Sequence, residues 1–225
     1  MKVELNSLYW DNGKYLYEHH KKVIDHFKIP LNYHNIDGLH HGLWMDSILE
    51  NSTADVIGFI ENDCIPLNRE IIDYCIDYVS KSKTFIGMAQ ASNHIHPYNH
   101  IFAAPCFYFI SREFWNWLGK PSFLETRNSD VGQEISRICD GHKINYKALY
   151  PTCFERPADE GVWKLGNYGY YGIGTVFGDS VYHLYQGRKE QNAELFKLRC
   201  QQVIDGTFNT NGFISSTEYF NGTVF

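Results

Sequence analysis

The order of strand and helix signals over the first ninety residues is the feature that most constrains the fold. Val3 to Tyr9 has the pattern of a first strand, and a helical stripe of apolar residues follows between Tyr15 and Phe27. An extended segment from Ile29 to Asn35, a helix from Leu43 to Glu50 and a short apolar strand from Asp55 to Ile60 come next. This alternation predicts an α/β fold with a Rossmann-like, mixed but mainly parallel sheet flanked by helices.

The remaining pattern continues the alternation and ends in a polar stretch. It predicts, in order, a helix capped by Asn68, strands at 84–89 and 106–110, a helix at 112–118 capped by Ser111, a helix at 130–140, a strand at 146–149, a Gly- and Tyr-rich loop at 161–178 and a helix at 189–204. At 225 residues the chain is long enough for one large domain. We place that domain at residues 1–205 and a C-terminal tail at residues 206–225.

Charge and cysteine usage exclude several classes of protein. The formal net charge is −6, whereas proteins that wrap a nucleic-acid backbone carry clustered Lys and Arg, so we expect no nucleic-acid partner. The six cysteines are scattered without a CxxC pair, which argues against a zinc knuckle. No apolar run has the length of a signal peptide or a membrane span. We therefore expect a cytoplasmic protein with reduced cysteines, and the oligomeric state stays open.

Two carboxylates follow the apolar strand that ends at Ile60. The next residues are Glu61, Asn62 and Asp63, and alternation along an extended backbone places residues 61 and 63 on the same side. Ligands of open α/β sheets bind beyond the carboxyl ends of the strands. Carboxylate oxygens there suit a hard cation such as Mg²⁺ or Mn²⁺, which in turn holds a diphosphate. The alternative interpretation is a polar strand-to-turn junction without a ligand.

The segment around these carboxylates carries a family resemblance. Residues 54–68 (ADVIGFIENDCIPLN) resemble the DxD-bearing strand of the GT-A-fold glycosyltransferases, which use nucleotide-sugars, and the order of elements is similar to the family-2 type. In that family a Pro and a helix likewise follow the acidic motif. The first acid here is Glu61 instead of Asp, so the resemblance implies Asp63 as the direct metal ligand. Glu61 then contacts the metal, directly or through water, or holds the ribose.

Residues 179–188 (DSVYHLYQGR) are similar to the family segment whose His supplies a late metal ligand. His183 is the matching residue, and an imidazole beside carboxylates favours Mn²⁺ over Mg²⁺. A His between two Tyr is also a common hydrogen-bonded core residue, so both interpretations stay open. Arg188 has the planar fork that suits phosphate oxygens, or else it is a solvated residue at a helix start.

The resemblance also implies where the nucleotide binds. Tyr9, Trp10 and Asp11 end the first strand, where members of the family hold the base and ribose. His40 and His41 precede the helix that leads to the acidic strand, close to where the family binds the nucleotide, although such a pair is also ordinary in a surface loop.

In inverting members an acid near a helix start in the region of residues 121–134 acts as the base. Asp130 is the first candidate, and Glu125 is the second. Asp130 is also a predicted N-cap, with Gln133 as its capping-box partner, and capping alone would explain it.

Together these features predict a metal-dependent hexosyl- or related transferase. It would move a sugar from a nucleotide-diphosphate donor to a hydroxyl of a glycan or other acceptor, with inversion. The predicted loop at 161–178 would close over the substrate. One rival is a metal-dependent hydrolase, for which His94 and His96 form the single close HxH pair. The other rival is a non-catalytic module that binds glycans or nucleotides.

Overall fold

The computed structural model describes residues 1–92, 100–159, 161–187 and 189–217. They divide into two compact units, each built from three separate stretches of chain. Unit 1 comprises Met1–Trp10, Pro30–Glu61 and Ile72–Leu149. Unit 2 comprises Asp11–Ile29, Asn62–Ile71 and the described part of Tyr150–Phe225.

The strands are, in chain order, β1 (Val3–Tyr9), β2 (Leu31–Asn35), β3 (Val56–Ile60), β4 (Cys64–Pro66), β5 (Phe85–Ala91), β6 (Ile101–Ser111), β7 (Lys147–Leu149), β8 (Pro151–Arg156), β9 (Trp163–Lys164), β10 (Tyr170–Tyr171), β11 (Ile173–Phe177), β12 (Val181–His183) and β13 (Ile214–Ser215). The α-helices are α1 (Lys14–His26), α2 (His41–Asn51), α3 (Glu70–Ser82), α4 (Arg112–Trp117), α5 (Gln133–His142) and α6 (Glu190–Ile204). A short 3₁₀ helix, Asp11–Gly13, precedes α1.

Unit 1 contains a six-stranded sheet in the order β2-β1-β3-β6-β5-β7. The pairs β1–β2, β1–β3 and β5–β7 are parallel, and β6 runs antiparallel to both of its neighbours. Every residue of β3 is buried, as its uninterrupted apolar sequence predicts for a central strand. The predicted fold class, α/β with a mixed and mostly parallel sheet flanked by helices, is confirmed.

One core packs on strands β1, β3, β5 and β6. It is supplied by helices α2, α4 and α5 and by Phe123 in the segment between α4 and α5. The buried residues of this core are Leu8, Ile36, Trp44, Met45, Leu49, Ala54, Ile57, Phe59, Phe85, Ala103, Tyr108, Ile110, Phe114, Trp115, Phe123, Ile135 and Cys139. Gly58 allows close packing within β3, because a Cβ there would lie 2.6 Å from Leu5 Cδ2 and 3.0 Å from the ring of Phe109, and both side chains would have to shift.

Unit 2 contains a five-stranded sheet in the order β13-β8-β11-β12-β4, and all four of its pairings are antiparallel. Its core combines α1 and α6 with the strands, through Leu16, Val23, Ile65, Ala158, Ile173, Val176, Tyr182, Leu184, Phe196, Cys200 and Val203. A separate hairpin joins β9 and β10. Residues 206–217 belong to this unit, where β13 pairs with β8.

Two sequence predictions about secondary structure are wrong. The segment 161–178 is not one loop, because it contains β9, β10 and the fully buried β11, whose residues Ile173, Val176 and Phe177 pack in the interior. The helix predicted at 130–140 starts later, at Gln133, and its N-cap is Gly132 in the left-handed region with φ 74°. Asp130 is therefore not the N-cap, since the chain turns at Gly132 before the helix begins.

Within the described parts of the chain, no helix has both the length and the apolar character needed to cross a membrane.

Candidate functional site

The carboxyl edge of the parallel strands in unit 1 is the first part of the candidate site. The chain passes from β1 to β2 on one side and returns to β3 on the other, so the strand order reverses between β1 and β3. Such a reversal opens a crevice at the carboxyl ends of the two strands, where open α/β sheets bind ligands. Tyr9 and Trp10 end β1, and Glu61 directly follows β3, where its backbone N–H donates to Cys106 O at 2.8 Å. The topology thus brings these three residues to one crevice.

Glu61 lies among polarisable groups in this crevice. Its Oε1 is 3.7 Å from His41 Nε2, and the two side chains are only 18% and 16% exposed. A Glu61 carboxylate oxygen also lies within 4.8 Å of Cys106 Sγ. The Trp10 ring meets the His41 ring edge-on, with centroids 6.5 Å apart. The crevice therefore combines a carboxylate, an imidazole and an indole, which suit a ribose with its attached base.

His41 begins α2, and His40, the residue before it, contacts the carboxylate of Glu125 at the same edge of the sheet. His40 Nδ1 accepts from Gly42 N at 3.2 Å, which leaves the ring proton on Nε2. His40 Nε2 lies 3.1 Å from Glu125 Oε1. The loop that carries Glu125 packs tightly on α2, because a Cβ at Gly42 would lie 2.6 Å from Leu124 Cα. This packing holds the exposed Glu125 next to the start of α2.

Asp130 occupies a different environment in unit 1. Its N–H donates to Gln133 Oε1 at 2.8 Å, and Gln133 N donates to Asp130 O at 3.0 Å. Gln133 is fully buried and its Nε2 lies 2.9 Å from His100 Nδ1. Of the predicted capping box, the contact from the Gln133 side chain to the Asp130 N–H is present. A second contact, from Gln133 N to the Asp130 carbonyl, lies in a turn before the helix.

Unit 2 brings Asp63 and His183 together, although they are far apart in the sequence. Strand β4 pairs with β12 so that Cys64 lies opposite His183, and Leu184 N donates to Asp63 O at 2.9 Å. His183 Nε2 is 3.3 Å from Asp63 Oδ1, and their side chains are 4% and 21% exposed. The antiparallel pairing of these two short strands is therefore what aims the carboxylate at the imidazole.

Two atoms of this pair are buried without a hydrogen bond in the described residues. They are Asp63 Oδ1 and His183 Nδ1. A buried acceptor left unsatisfied costs about 1–3 kcal/mol, so such atoms normally meet a ligand, an ion or water. A carboxylate and an imidazole together are a donor set for a divalent transition metal such as Mn²⁺ or Zn²⁺. The residues present thus fit a metal ion.

The sequence analysis did not assign His20 and Asn62, which lie beside this pair in unit 2. His20 is fully buried on α1, and burial lowers its pKa to about 4, against the opposing effect of the Asp63 carboxylate. Asn62 Nδ2 donates to Gly13 O at 3.3 Å and so links the acidic segment to the start of α1. The signal for His20 was its place in the apolar stripe of α1, between Leu16 and Val23, where a polar residue needs an explanation.

Aromatic rings surround the other side of His183. The Tyr185 ring contacts it at a centroid distance of 4.1 Å, with the two ring planes tilted by 59°. Trp163 and Tyr171 lie 5.1 and 5.4 Å from the Tyr185 ring, so the three form one aromatic cluster. Trp163 and Tyr171 belong to the β9–β10 hairpin, in the segment that the sequence predicted as a loop.

Of the predicted residues that the structure describes, Asp11 is not part of these groups. Asp11 is exposed at the start of the 3₁₀ helix in unit 2. Arg188 lies outside the described residues, and so do His94 and His96 of the rival hydrolase interpretation.

The buried His20 predicts a specific acid lability of the metal-free protein. His20 stays neutral in the native state down to a pH of about 4, whereas in the unfolded chain it takes up a proton near pH 6.5. The free energy of unfolding should therefore fall between pH 6.5 and pH 4 by up to about 3 kcal/mol. Urea unfolding across this range, in the presence of a chelator, measures the slope.

The variant His20→Gln should unfold with a flatter pH dependence than the parent. The exposed His26→Gln on the same helix serves as the control and should keep the parent slope. Equal slopes for parent and His20→Gln would show that His20 is not responsible.

Comparisons with known proteins give similarities in fold only. No protein-family model matches the chain. No curated protein sequence matches it either. Among solved structures, a mutant Drosophila β-1,4-galactosyltransferase 7 in complex with manganese, UDP-Gal and xylobiose is similar at 12% identity, with a TM-score of 0.42. The match covers 66% of this chain and 64% of that one.

Two further solved structures illustrate the range. Staphylococcus aureus TarS 1–349 in complex with UDP-GlcNAc has 10% identity and a TM-score of 0.39, over 60% of this chain and 53% of that one. A candidate glucose-1-phosphate thymidylyltransferase from Bacillus anthracis has 9% identity and a TM-score of 0.47, over 88% of this chain and 95% of that one. The chain is thus similar in fold to structures that include a galactosyltransferase and a nucleotidyltransferase. Its match spans about two thirds of the galactosyltransferase chain and about half of TarS 1–349.

Proposed function

We propose that the chain is a metal-dependent glycosyltransferase that moves a sugar from a nucleotide-diphosphate donor to a hydroxyl of a glycan or another acceptor. The observation that carries the proposal is the Asp63–His183 pair, in which Asp63 Oδ1 lies 3.3 Å from His183 Nε2. Asp63 Oδ1 is itself buried and makes no hydrogen bond among the described residues. A carboxylate and an imidazole at the end of an acidic strand segment fit a chemistry that needs a divalent cation beside a diphosphate.

In this proposal Asp63 and His183 hold Mn²⁺ or Mg²⁺, and Glu61 stays a predicted third ligand. The bound ion would neutralise the negative charge that develops on the departing diphosphate. The protein has a formal net charge of −6, so it offers little positive charge of its own for this purpose. Arg188 stays a predicted phosphate contact.

The crevice between β1 and β3 would bind the nucleoside. Tyr9 and Trp10 offer rings on which a flat base can stack, and Asp11 stays a predicted ribose contact. Glu61, beside His41 at 3.7 Å, would accept hydrogen bonds from ribose hydroxyls. The aromatic cluster of Trp163, Tyr171 and Tyr185 next to His183 offers apolar faces to a sugar ring.

A carboxylate must remove the proton of the acceptor hydroxyl when the reaction inverts the anomeric carbon. Asp130 and Glu125 are the candidates, and contacts at the carboxyl edge favour Glu125. Its partner His40 directly precedes His41, which contacts Glu61, and the Gly42 contact fixes the loop there. Such a base typically contributes a factor of 10² to 10⁴ in rate.

A thermal-shift screen tests the proposal. UDP-, GDP-, CMP- and dTDP-sugars are added with Mn²⁺. We expect the donors that carry one of these bases to raise the melting temperature of the protein. A donor at about 100 times its Kd should stabilise the protein by about 2.7 kcal/mol, or roughly 5–10 °C for a chain of this size. The shift should require both donor and Mn²⁺, and a chelator should abolish it.

Transfer by the same protein then separates the enzyme from its rivals. Glu125→Gln should keep the donor shift and reduce transfer by about 10² to 10⁴, and Asp130→Asn is its matched comparison. If Glu125→Gln transfers normally and Asp130→Asn does not, Asp130 is the base. Rapid sugar release with no acceptor would identify a hydrolase. Donor binding without any turnover in the parent would identify a binding module.

A further inference from the structure

The opposite end of the unit 1 sheet carries two cavities that the proposed transfer does not use. The first has a volume of about 470 Å³ and is lined by Lys83, Glu113, Phe114, Trp117 and Ile144. The second has a volume of about 300 Å³ and is lined by Thr53, Ala54, Asp55, Lys83, Ser111, Arg112, Glu113 and Asn116. Both volumes lie in or near the range of small-molecule sites, and Lys83 and Glu113 line both cavities. We call the two together the amino-edge groove.

The groove lies at the amino end of β3, whereas the candidate site of unit 1 lies at its carboxyl end. Asp55 directly precedes the strand, and Glu61 directly follows it. The five residues of β3 span about 17 Å at roughly 3.3 Å per residue. The amino-edge groove is therefore a separate surface of the same unit.

The larger cavity offers an aromatic platform. Trp117 is 68% exposed, which is unusual because Trp side chains are highly buried on average. Its ring is supported by Phe114, with centroids 5.8 Å apart and an interplanar angle of 34°. A supported indole with an open face is suited to stack on a flat, partly apolar partner.

The smaller cavity offers hydrogen-bonding groups, one of which lacks a partner. Arg112 Nε is buried and makes no hydrogen bond within the described residues. Because Nε has no accessible surface, a ligand acceptor would meet Arg112 at the other N–H groups of its guanidinium, and Arg112 lines the smaller cavity. Glu113 and Asn116 are exposed and provide further polar atoms.

The charges of the groove argue for a neutral ligand. Lys83 and Glu113 form an ion pair at 3.2 Å where the two cavities meet. The remaining charged residues are Arg112 and Asp55, one of each sign, and Asp55 Oδ2 accepts from Lys2 N at 2.7 Å. A balanced groove gives a polyanion no net attraction.

We infer that the amino-edge groove binds a neutral oligosaccharide. One sugar ring stacks its apolar C–H face on Trp117, and the next sugar places its hydroxyls in the smaller cavity. The Arg112 guanidinium donates to a hydroxyl oxygen there, and Glu113 accepts from a hydroxyl. A sugar chain matches both halves of the groove because each of its rings combines an apolar face with a rim of hydroxyls. The inference does not depend on the proposed transfer.

Binding of cellohexaose, xylohexaose, chitohexaose, mannohexaose and maltohexaose by isothermal titration calorimetry tests the inference. We expect at least one to bind the parent chain. Trp117→Ala should weaken its binding about tenfold or more, and Arg112→Met should do so to a similar extent. Trp117→Phe, which retains a ring, should restore part of the affinity. Tyr74→Ala removes another exposed aromatic side chain of unit 1 and should have no effect.

The outcomes separate this groove from the candidate active site. Both Trp117→Ala and Arg112→Met should melt within a few degrees of the parent, which shows that they fold. The inference is overturned if none of the five saccharides binds, or if both variants bind as the parent does. It is also overturned if sedimentation shows a parent dimer that Trp117→Ala abolishes, because Trp117 would then be a subunit contact.

Discussion

Replacement of Asp63 by asparagine is expected to lower the rate of sugar transfer about a thousandfold or more. The change keeps the shape of the side chain and removes its charge, so the proposed metal ion would lose an anionic ligand. Charge stabilisation by such an ion is worth several kcal/mol in the transition state, and about 4 kcal/mol corresponds to a factor of a thousand. Steady-state kinetics with the donor identified by thermal shift measures the loss.

The same variant should lose the Mn²⁺-dependent part of the donor-induced thermal shift. Asp25→Asn is the control, since Asp25 is an exposed carboxylate of unit 2 that pairs with Lys21 at 2.6 Å. His183→Gln should cause a similar loss, and the double variant should be little worse than either single one, because the two residues act as a unit. Full activity of Asp63→Asn, or insensitivity of the parent to chelators, would end the proposal.

Replacement of Glu155 by alanine is expected to destabilise unit 2 by about 3–5 kcal/mol. Glu155 accepts from Arg199 Nε at 3.0 Å, from Arg199 Nη2 at 2.7 Å and from the Tyr182 hydroxyl at 2.7 Å. The side chains of Arg199 and Glu155 are only 15% and 10% exposed. Removal of the carboxylate would leave a largely buried guanidinium and a buried hydroxyl without their acceptor. Chemical denaturation measures the loss.

Two comparisons make this second prediction specific. Glu194→Ala removes an exposed glutamate of the same unit that pairs with Lys197, and it should hardly move the unfolding midpoint. The double variant Glu155→Leu with Arg199→Met replaces the ion pair by apolar side chains and should recover much of the lost stability. A Glu155→Ala protein as stable as the parent would show that the pair contributes little.

Several regular elements could be predicted because their local patterns agree with the tertiary structure. Strand β1 in unit 1 and helix α1 in unit 2 lie within a residue of their predicted bounds. Ser111 caps α4 as predicted, by accepting from Phe114 N. The apolar run before Glu61 is a fully buried central strand. These elements have strong periodicity or clear caps, which are local properties of the sequence.

The elements that were missed depend on partners distant in the chain. Strands β4 and β12 have three residues each, too few to show a period. They form because β4 pairs with β12, which also pairs with β11. Strand β11 was hidden in a Gly- and Tyr-rich segment whose composition is typical of loops. The start of α5 was misplaced because the left-handed turn at Gly132 comes between Asp130 and the helix.

The amino-acid sequence by itself determined the fold class and the acidic segment after β3, and it named candidate metal ligands. The fold class and the acidic segment follow from periodicity and from the chemistry of side chains, which do not require knowledge of distant contacts. Only the tertiary structure decided that His183 faces Asp63, that Glu125 contacts His40 at the start of α2, and that Trp117 is exposed and lines a cavity with Phe114. Such pairings depend on the register of short strands and on the packing of loops. The paired residues are separated by many residues of chain, so a local sequence pattern determines neither the register nor the packing.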